Sequence, residues 1–197
     1  MSANVWFEEV DMALKEEILK TVKVKDPKQG VPVFLEDDSV IIRKPEEDFK
    51  VEKFPCVSIY NLFYRHDPLR FNSAPVVVDR NKDTNIMTLE DPAVPYNLFY
   101  QLDFWSKYQS DMNMMTRTWL LKHFRQFNLE VTDDGGVKRS CNVSINENPK
   151  KLDLMDMNER KFHTIISYRI WVELDDETRY NVSMVGNRDI IVNENKK

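Results

Sequence analysis

Two stretches of apolar alternation limit what this chain can fold into. Tyr96, Leu98, Tyr100, Leu102 and Phe104 alternate with Asn97, Gln101 and Asp103. In a later run, Thr164, Ile166, Tyr168, Ile170, Val172 and Leu174 share one side. A period of two sends successive side chains to opposite faces of a strand, so each run predicts a strand with one face in a core. Between them, Met112, Met115, Trp119, His123 and Phe127 form one stripe, with Leu120 and Phe124 beside it, predicting a helix from an N-cap at Ser110 to about Gln126. Strand, helix and strand patterns on one chain require a sheet with a helical layer against it.

The remaining segments extend that pattern. Val10, Ala13, Leu14 and Ile18, with Trp6 before them, recur at helical spacing behind an N-cap at Asn4. Glu8, Glu9, Lys15, Glu16 and Lys20 cover the other side. Short strands follow at Val31 to Leu35 and Val40 to Arg43 around the acidic turn Glu36–Ser39, and a longer one runs from Phe54 to Tyr64. Residues 65–94 break into turn signals around Val76-Val77-Val78, too long for an ordinary connection, and are expected to be an interaction loop or a short extended hairpin. Leu129 to Thr132 and Val137 to Ile145 flank Asp133-Asp134-Gly135-Gly136, which is hairpin-turn chemistry. Arg179 to Val185 is expected to pair back on the Phe162–Leu174 strand, with a last edge strand at Asp189 to Val192. The expected fold is α+β: one domain over 1–197 with a mainly antiparallel sheet, two packing helices on one face and a long extended loop or hairpin.

Composition removes several function classes. Only four glycines occur, Gly30, Gly135, Gly136 and Gly186, against roughly fourteen at average usage. A phosphate-cradling loop needs clustered glycine, and no Lys-Ser or Lys-Thr follows the one pair. Lys and Arg total 28 against 33 Asp and Glu, a net charge of −5, which argues against coating nucleic acid. Apolar runs are only a few residues long, so no membrane helix is expected, and the acidic start lacks a signal-peptide core. Cys56 and Cys141 have no metal or redox spacing and are expected to be small buried apolar residues.

Catalytic groupings are sparse. His66, His123 and His163 have no second ligand at metal spacing, and no serine stands in a nucleophile elbow. Asp153, Asp156 and Glu159 would share a face of a helical turn and could hold a divalent metal, the basis of an alternative reading as a small metal-dependent hydrolase. A further alternative is a peptide-binding module using a Met112–Phe124 groove, which requires those methionines to be solvent-accessible. Aromatic residues are more telling. Tyr96, Phe99, Tyr100, Phe104, Trp105 and Tyr108 crowd one strand and its exit, and Phe63, Tyr64 and Phe71 bracket the long loop. Phe99 and Trp105 project opposite to Tyr100 and Phe104, as interface residues do.

Three groups of residues carry a family resemblance: Phe54-Pro55-Cys56-Val57-Ser58-Ile59 in the first long strand, Pro95-Tyr96-x-Leu-x-Tyr-Gln-Leu-Asp-x-Trp leading to Ser110-Asp111-Met112, and Arg160-x-Phe to Tyr168-Arg-Ile-x-Val-Glu-Leu174. In this order the chain resembles the tail terminator and neck proteins of tailed bacteriophages and related contractile injection systems. The resemblance implies a non-enzymatic virion protein of small α/β fold, without cofactor or metal. It would form a homo-oligomeric ring, usually a hexamer, on the last ring of the tail tube. There it would end tube polymerisation and join the head connector, with a head-completion or connector adaptor of the neck as the alternative. Partners would be further copies, the tail tube protein, a head-side connector or neck protein and the sheath protein. Genome DNA would pass through the lumen without specific binding, and assembly would occur in the host bacterial cytoplasm, away from membranes. The expected assembly residues are Tyr64, Arg65, Phe71, Val77, Arg80, Phe99, Trp105, Asp133 and Asp134, together with the Glu36–Asp38 tip.

Overall fold

The two alternating runs lie side by side at the centre of the main sheet. The computed structural model describes residues 7–26, 28–43, 53–71, 74–81, 86–132, 136–156, 159–174 and 179–183. Helix α1 (Phe7–Thr21) is followed by β1 (Lys23–Lys25), β2 (Pro32–Phe34), a 3₁₀ turn at Asp37–Ser39 and β3 (Val40–Arg43). Then come β4 (Cys56–His66), β5 (Val76–Asn81), β6 (Ile86–Glu90), β7 (Val94–Ser106) and α2 (Gln109–His123). The chain continues through β8 (Gln126–Thr132), β9 (Lys138–Ile145), β10 (Lys150–Asp156), β11 (Glu159–Leu174) and β12 (Arg179–Ser183).

The main sheet has the order β3-β4-β7-β11-β9-β8, with β10 also paired to β11. Among the described strands of this sheet, β3 and β4 run parallel and the other pairs antiparallel. β7 and β11 pair antiparallel from Phe162 opposite Ser106 to Leu174 opposite Val94. Their even-numbered apolar residues form the core with Val57 and Ile59 of β4. Both helices pack on that face: α1 buries Val10, Leu14 and Ile18, and α2 buries Met112, Met115 and Trp119. The sheet curls enough for α1 to touch β3 near one edge and β8 at the other. At the centre, the Trp119 indole packs edge-on to Tyr168 and Phe127 and donates Nε1–H to the Tyr168 hydroxyl at 2.7 Å. The α+β class and the one-sided helical layer are as expected. Cys56 and Cys141 are both free and buried.

Several expectations need correction. Ser110 lies inside α2; the N-cap is Tyr108, because β7 runs on to Ser106, whose hydroxyl accepts the Tyr108 N–H at 3.1 Å. The helix stops at His123, since Arg125 takes a left-handed φ of 78° that no helix continues, and Phe127 belongs to β8. The segment around Asp153 is strand β10, not a helical turn, so three-residue spacing alternates across its faces rather than gathering on one. β12 does not pair back on β11: it joins β6, giving a separate three-stranded sheet β12-β6-β5. Thus the 65–94 segment contains the anticipated hairpin, β5–β6, widened into an arm by a strand from the end of the chain. The expected cap at Asn4, Trp6, the 133–135 turn residues and the 189–192 strand lie outside the described residues.

Candidate functional site

Both helices lie on one side of the main sheet, and among the described residues neither packs across its other face, which the loop carrying Arg70 partly covers. At one end of this outer face sits Asp103, 1% exposed. A buried carboxylate is costly unless its oxygens are filled. Asp103 accepts from Arg43 Nη1 at 3.2 Å, Gln101 Nε2 at 2.8 Å, Ser58 Oγ at 3.4 Å and the His163 Nε2 position at 3.0 Å. Trp105 stacks on His163 with ring centroids 3.7 Å apart, and Arg43 lies 4.6 Å over the Tyr60 ring. Ser58 donates to the carboxylate rather than to an imidazole, so serine, histidine and aspartate here form a packed polar hub and not a proton relay.

Further along, the face becomes aromatic and cationic. A bulge in β4 between Asn61 and Phe63 resets its alternation. Phe63 thereby stacks on Phe99 at 4.4 Å on the outer face, while Tyr64 turns to the helix side against Phe7 at 5.6 Å. Arg169 stands opposite Phe99 in the ladder. Its guanidinium and that of Arg70 lie 5.3 and 5.5 Å from the Trp171 ring. Arg70 is fixed by Asp67 Oδ2 at 2.9 Å and the Tyr96 carbonyl at 3.0 Å. That guanidinium, and then Asn97, hold the Asp67 carboxyl below its ordinary range. Five buried polar atoms of this face have no hydrogen-bond partner: Trp105 Nε1, Arg169 Nε, Asn97 Oδ1, Asn142 Oδ1 and Ser144 Oγ. Four of them, all but Trp105 Nε1, surround Trp171 in the β9–β11–β7 ladder. Buried groups of this kind normally have partners, and four of these five lie together around Trp171.

The expected assembly residues fall in separate places. Arg65, Phe99 and Trp105 lie on the outer face, Arg65 exposed and the two aromatics half-buried. Tyr64 (55% exposed) and Phe71 belong to an aromatic cluster on the helix side, where Tyr64 meets Tyr96, and His66 packs between Phe71 and Tyr96. Val77 and Arg80 are exposed on the arm. Asp133 and Asp134 lie outside the described residues. The Glu36–Asp38 tip is engaged within the chain, by Lys53 and Lys15.

Other candidates resolve plainly. Asp153 is held by Arg160 across the β10–β11 hairpin, and among the described residues no three His, Cys, Asp or Glu groups could share a metal ion. Met112 and Met115 are buried at 2% and 0%, so the accessible methionine groove required for peptide binding does not exist there. Asp103, Arg169 and Trp171 were not singled out from sequence, and Phe63 was named only as one of the aromatics that bracket the long loop. Arg169 and Trp171 could have been, because they alternate with Tyr168, Ile170 and Val172 and must face away from the core.

No family model and no curated protein matches the chain. Among solved structures, a likeness exists to the sheath/tube terminator of PVC, an extracellular contractile injection system, in its extended state. The TM-score is 0.41 at 12% identity, covering 88% of this chain and 58% of that one. The chain thus spans less than two thirds of the length of that protein.

Proposed function

We propose that this chain is a structural ring subunit that ends a tail tube, in a phage or a phage-like contractile particle. The observation that carries the reading is the outer face of the sheet, where aromatic rings and arginines lie together and, among the described residues, no helix covers them. Such a face is rich in the residue types that anchor protein contacts. The residues that carry the family resemblance, 54–60, 95–112 and 160–174, lie on β4, β7 with the start of α2, and β11, the strands that build this face. The arm adds a second contact element that reaches beyond the helix-covered core. Heterologous contacts that close at a fixed number give a ring instead of a filament, and a ring seated on a tube end blocks further addition. Six copies, a tube protein below and a connector or neck protein above are the partners of this reading.

The test is native mass spectrometry over a concentration series, joined to polymerisation of a purified tail tube protein with and without this chain. A discrete ring mass and shortened tubes are expected. Tubes of unchanged length, from a chain that remains monomeric, would refute the role.

A further inference from the structure

The molecule has a second surface whose chemistry is the reverse of the outer face. Along the solvent side of α1, Glu8, Met12 and Glu16 recur four residues apart, one above the other. Met12 is 54% exposed. Glu9 and Ala13 flank it, and Glu130 and Thr132 of β8 form the far wall of a groove of about 320 Å³. This surface is an apolar knob ringed by carboxylates. The outer face of the sheet is an aromatic platform, Phe63 stacked on Phe99 beside Trp171, ringed by Arg65, Arg70 and Arg169. Arg169 Nε is a buried N–H with no acceptor.

We propose that the acidic side of α1 in one copy seats on the aromatic and arginine face of the next copy, so that copies join head to tail. This rests on the ring reading above and names the two surfaces that would meet. Met12 supplies a thioether to the Phe63–Phe99 platform, a contact that polarizable sulfur favours. Glu8, and Glu16 that is already paired with Lys20 at 3.0 Å, bring carboxylates to the exposed Arg65 of the guanidinium rim, where charge-assisted hydrogen bonds form. Two acidic helices repel one another, as do two arginine rims, so like does not pair with like. The contact is therefore heterologous, the kind that closes a ring.

Two variants test it, each altering exposed side chains on one surface. Met12→Asp with Glu8→Lys spoils the helix side, and Phe63→Asp with Arg65→Glu spoils the sheet side; if the latter pair does not fold, Arg65→Glu alone serves. In sedimentation velocity, each variant is expected to lose self-association by at least about tenfold. Mixed in equal amounts, they should form a dimer of twice the chain mass and nothing larger, because the only intact pair of surfaces is consumed in one contact. If the wild-type chain associates and either variant associates equally well, these are not the surfaces, and the ring reading stands on others. If both variants are monomeric and the mixture stays monomeric, the contact is not head to tail. A wild-type chain monomeric at every concentration overturns the inference, and the tube-polymerisation assay then decides the ring reading.

Discussion

Replacing Asp11 by asparagine should stabilise this protein, and only at pH values where the carboxyl would be charged. Asp11 is on the third side of α1, half-buried against the sheet, and its Oδ1 is buried without a partner. Burial raises its pKa from 3.8 to about 6; the Tyr100 hydroxyl pulls the other way, and Glu8 and Glu9 add to the rise. In the unfolded chain the group ionises near its ordinary value, so between about pH 4 and pH 6 the unfolded state has released a proton that the folded state still holds. Rising pH therefore favours unfolding through that window, and the penalty is constant above it. The gap corresponds to a ceiling of about 3 kcal/mol at 1.36 kcal/mol per tenfold. Residual contact with water roughly halves this, to ~1.5 kcal/mol. Urea unfolding of wild type and Asp11→Asn at several pH values measures it directly. The variant should gain nothing near pH 3, pull ahead between pH 4 and 6, and keep a fixed advantage above pH 7. An advantage independent of pH, or a loss at pH 8, would refute the account.

Glu17 should behave in the opposite sense. Its hydrogen bond with His123 and contact with Lys122 outweigh burial and hold it at about 2, so its contribution is present above pH 4.5 and is lost as pH falls toward 2. Glu17→Gln should cost about 1 kcal/mol at pH 7 in urea unfolding, a cost that shrinks on acidification. Tyr168→Phe removes the acceptor of a fully buried indole N–H and should lower stability by about 1–3 kcal/mol; a change within error would mean that Trp119 finds another partner. Burial pushes the Cys56 and Cys141 thiols up to about 12 and 11. A thiol reagent at pH 8 should therefore label neither in the native protein and both within the dead time in denaturant.

Much of the architecture was legible because two long strands repeat the period-two signal many times, and one face of each had to be buried. Thr164 to Val172 and Leu98 to Phe104 could not occupy the core in any other way. Helix ends were less legible, since Ser110 is a good cap by residue type, whereas the true boundary depends on where β7 releases the chain. The bulge at Leu62 was invisible: it leaves no glycine or proline mark, yet it decides that Phe63 and not Tyr64 joins the outer face. The Asp153 segment misled because three-residue spacing of charges suits a helical turn, while its pairing with Glu159 to Ile165 is a tertiary fact. Likewise, β12 carries no local sign of choosing β6 over β11. Of the surface residues, Phe99 and Trp105 were placed on the outer face by alternation alone, whereas Arg65 reaches it only through the same bulge, and the neighbours of all three across the strands emerge only from the register.

The arm has a consequence for the order in which the protein becomes complete. Its middle strand, β6, is flanked by β5 from its own hairpin and by β12, which arrives only after the whole of β11 has been made. A hairpin alone is marginal in water, and contacts between distant segments form late because long loops must close first. During synthesis the helix-covered core can therefore be laid down while the arm remains two strands wide with one edge of β6 unpaired. Only a chain made as far as Ser183 finishes it. A product ended before Arg179 therefore keeps the helix-covered core but leaves the arm one strand short, with a bare edge on β6 that another chain could pair with.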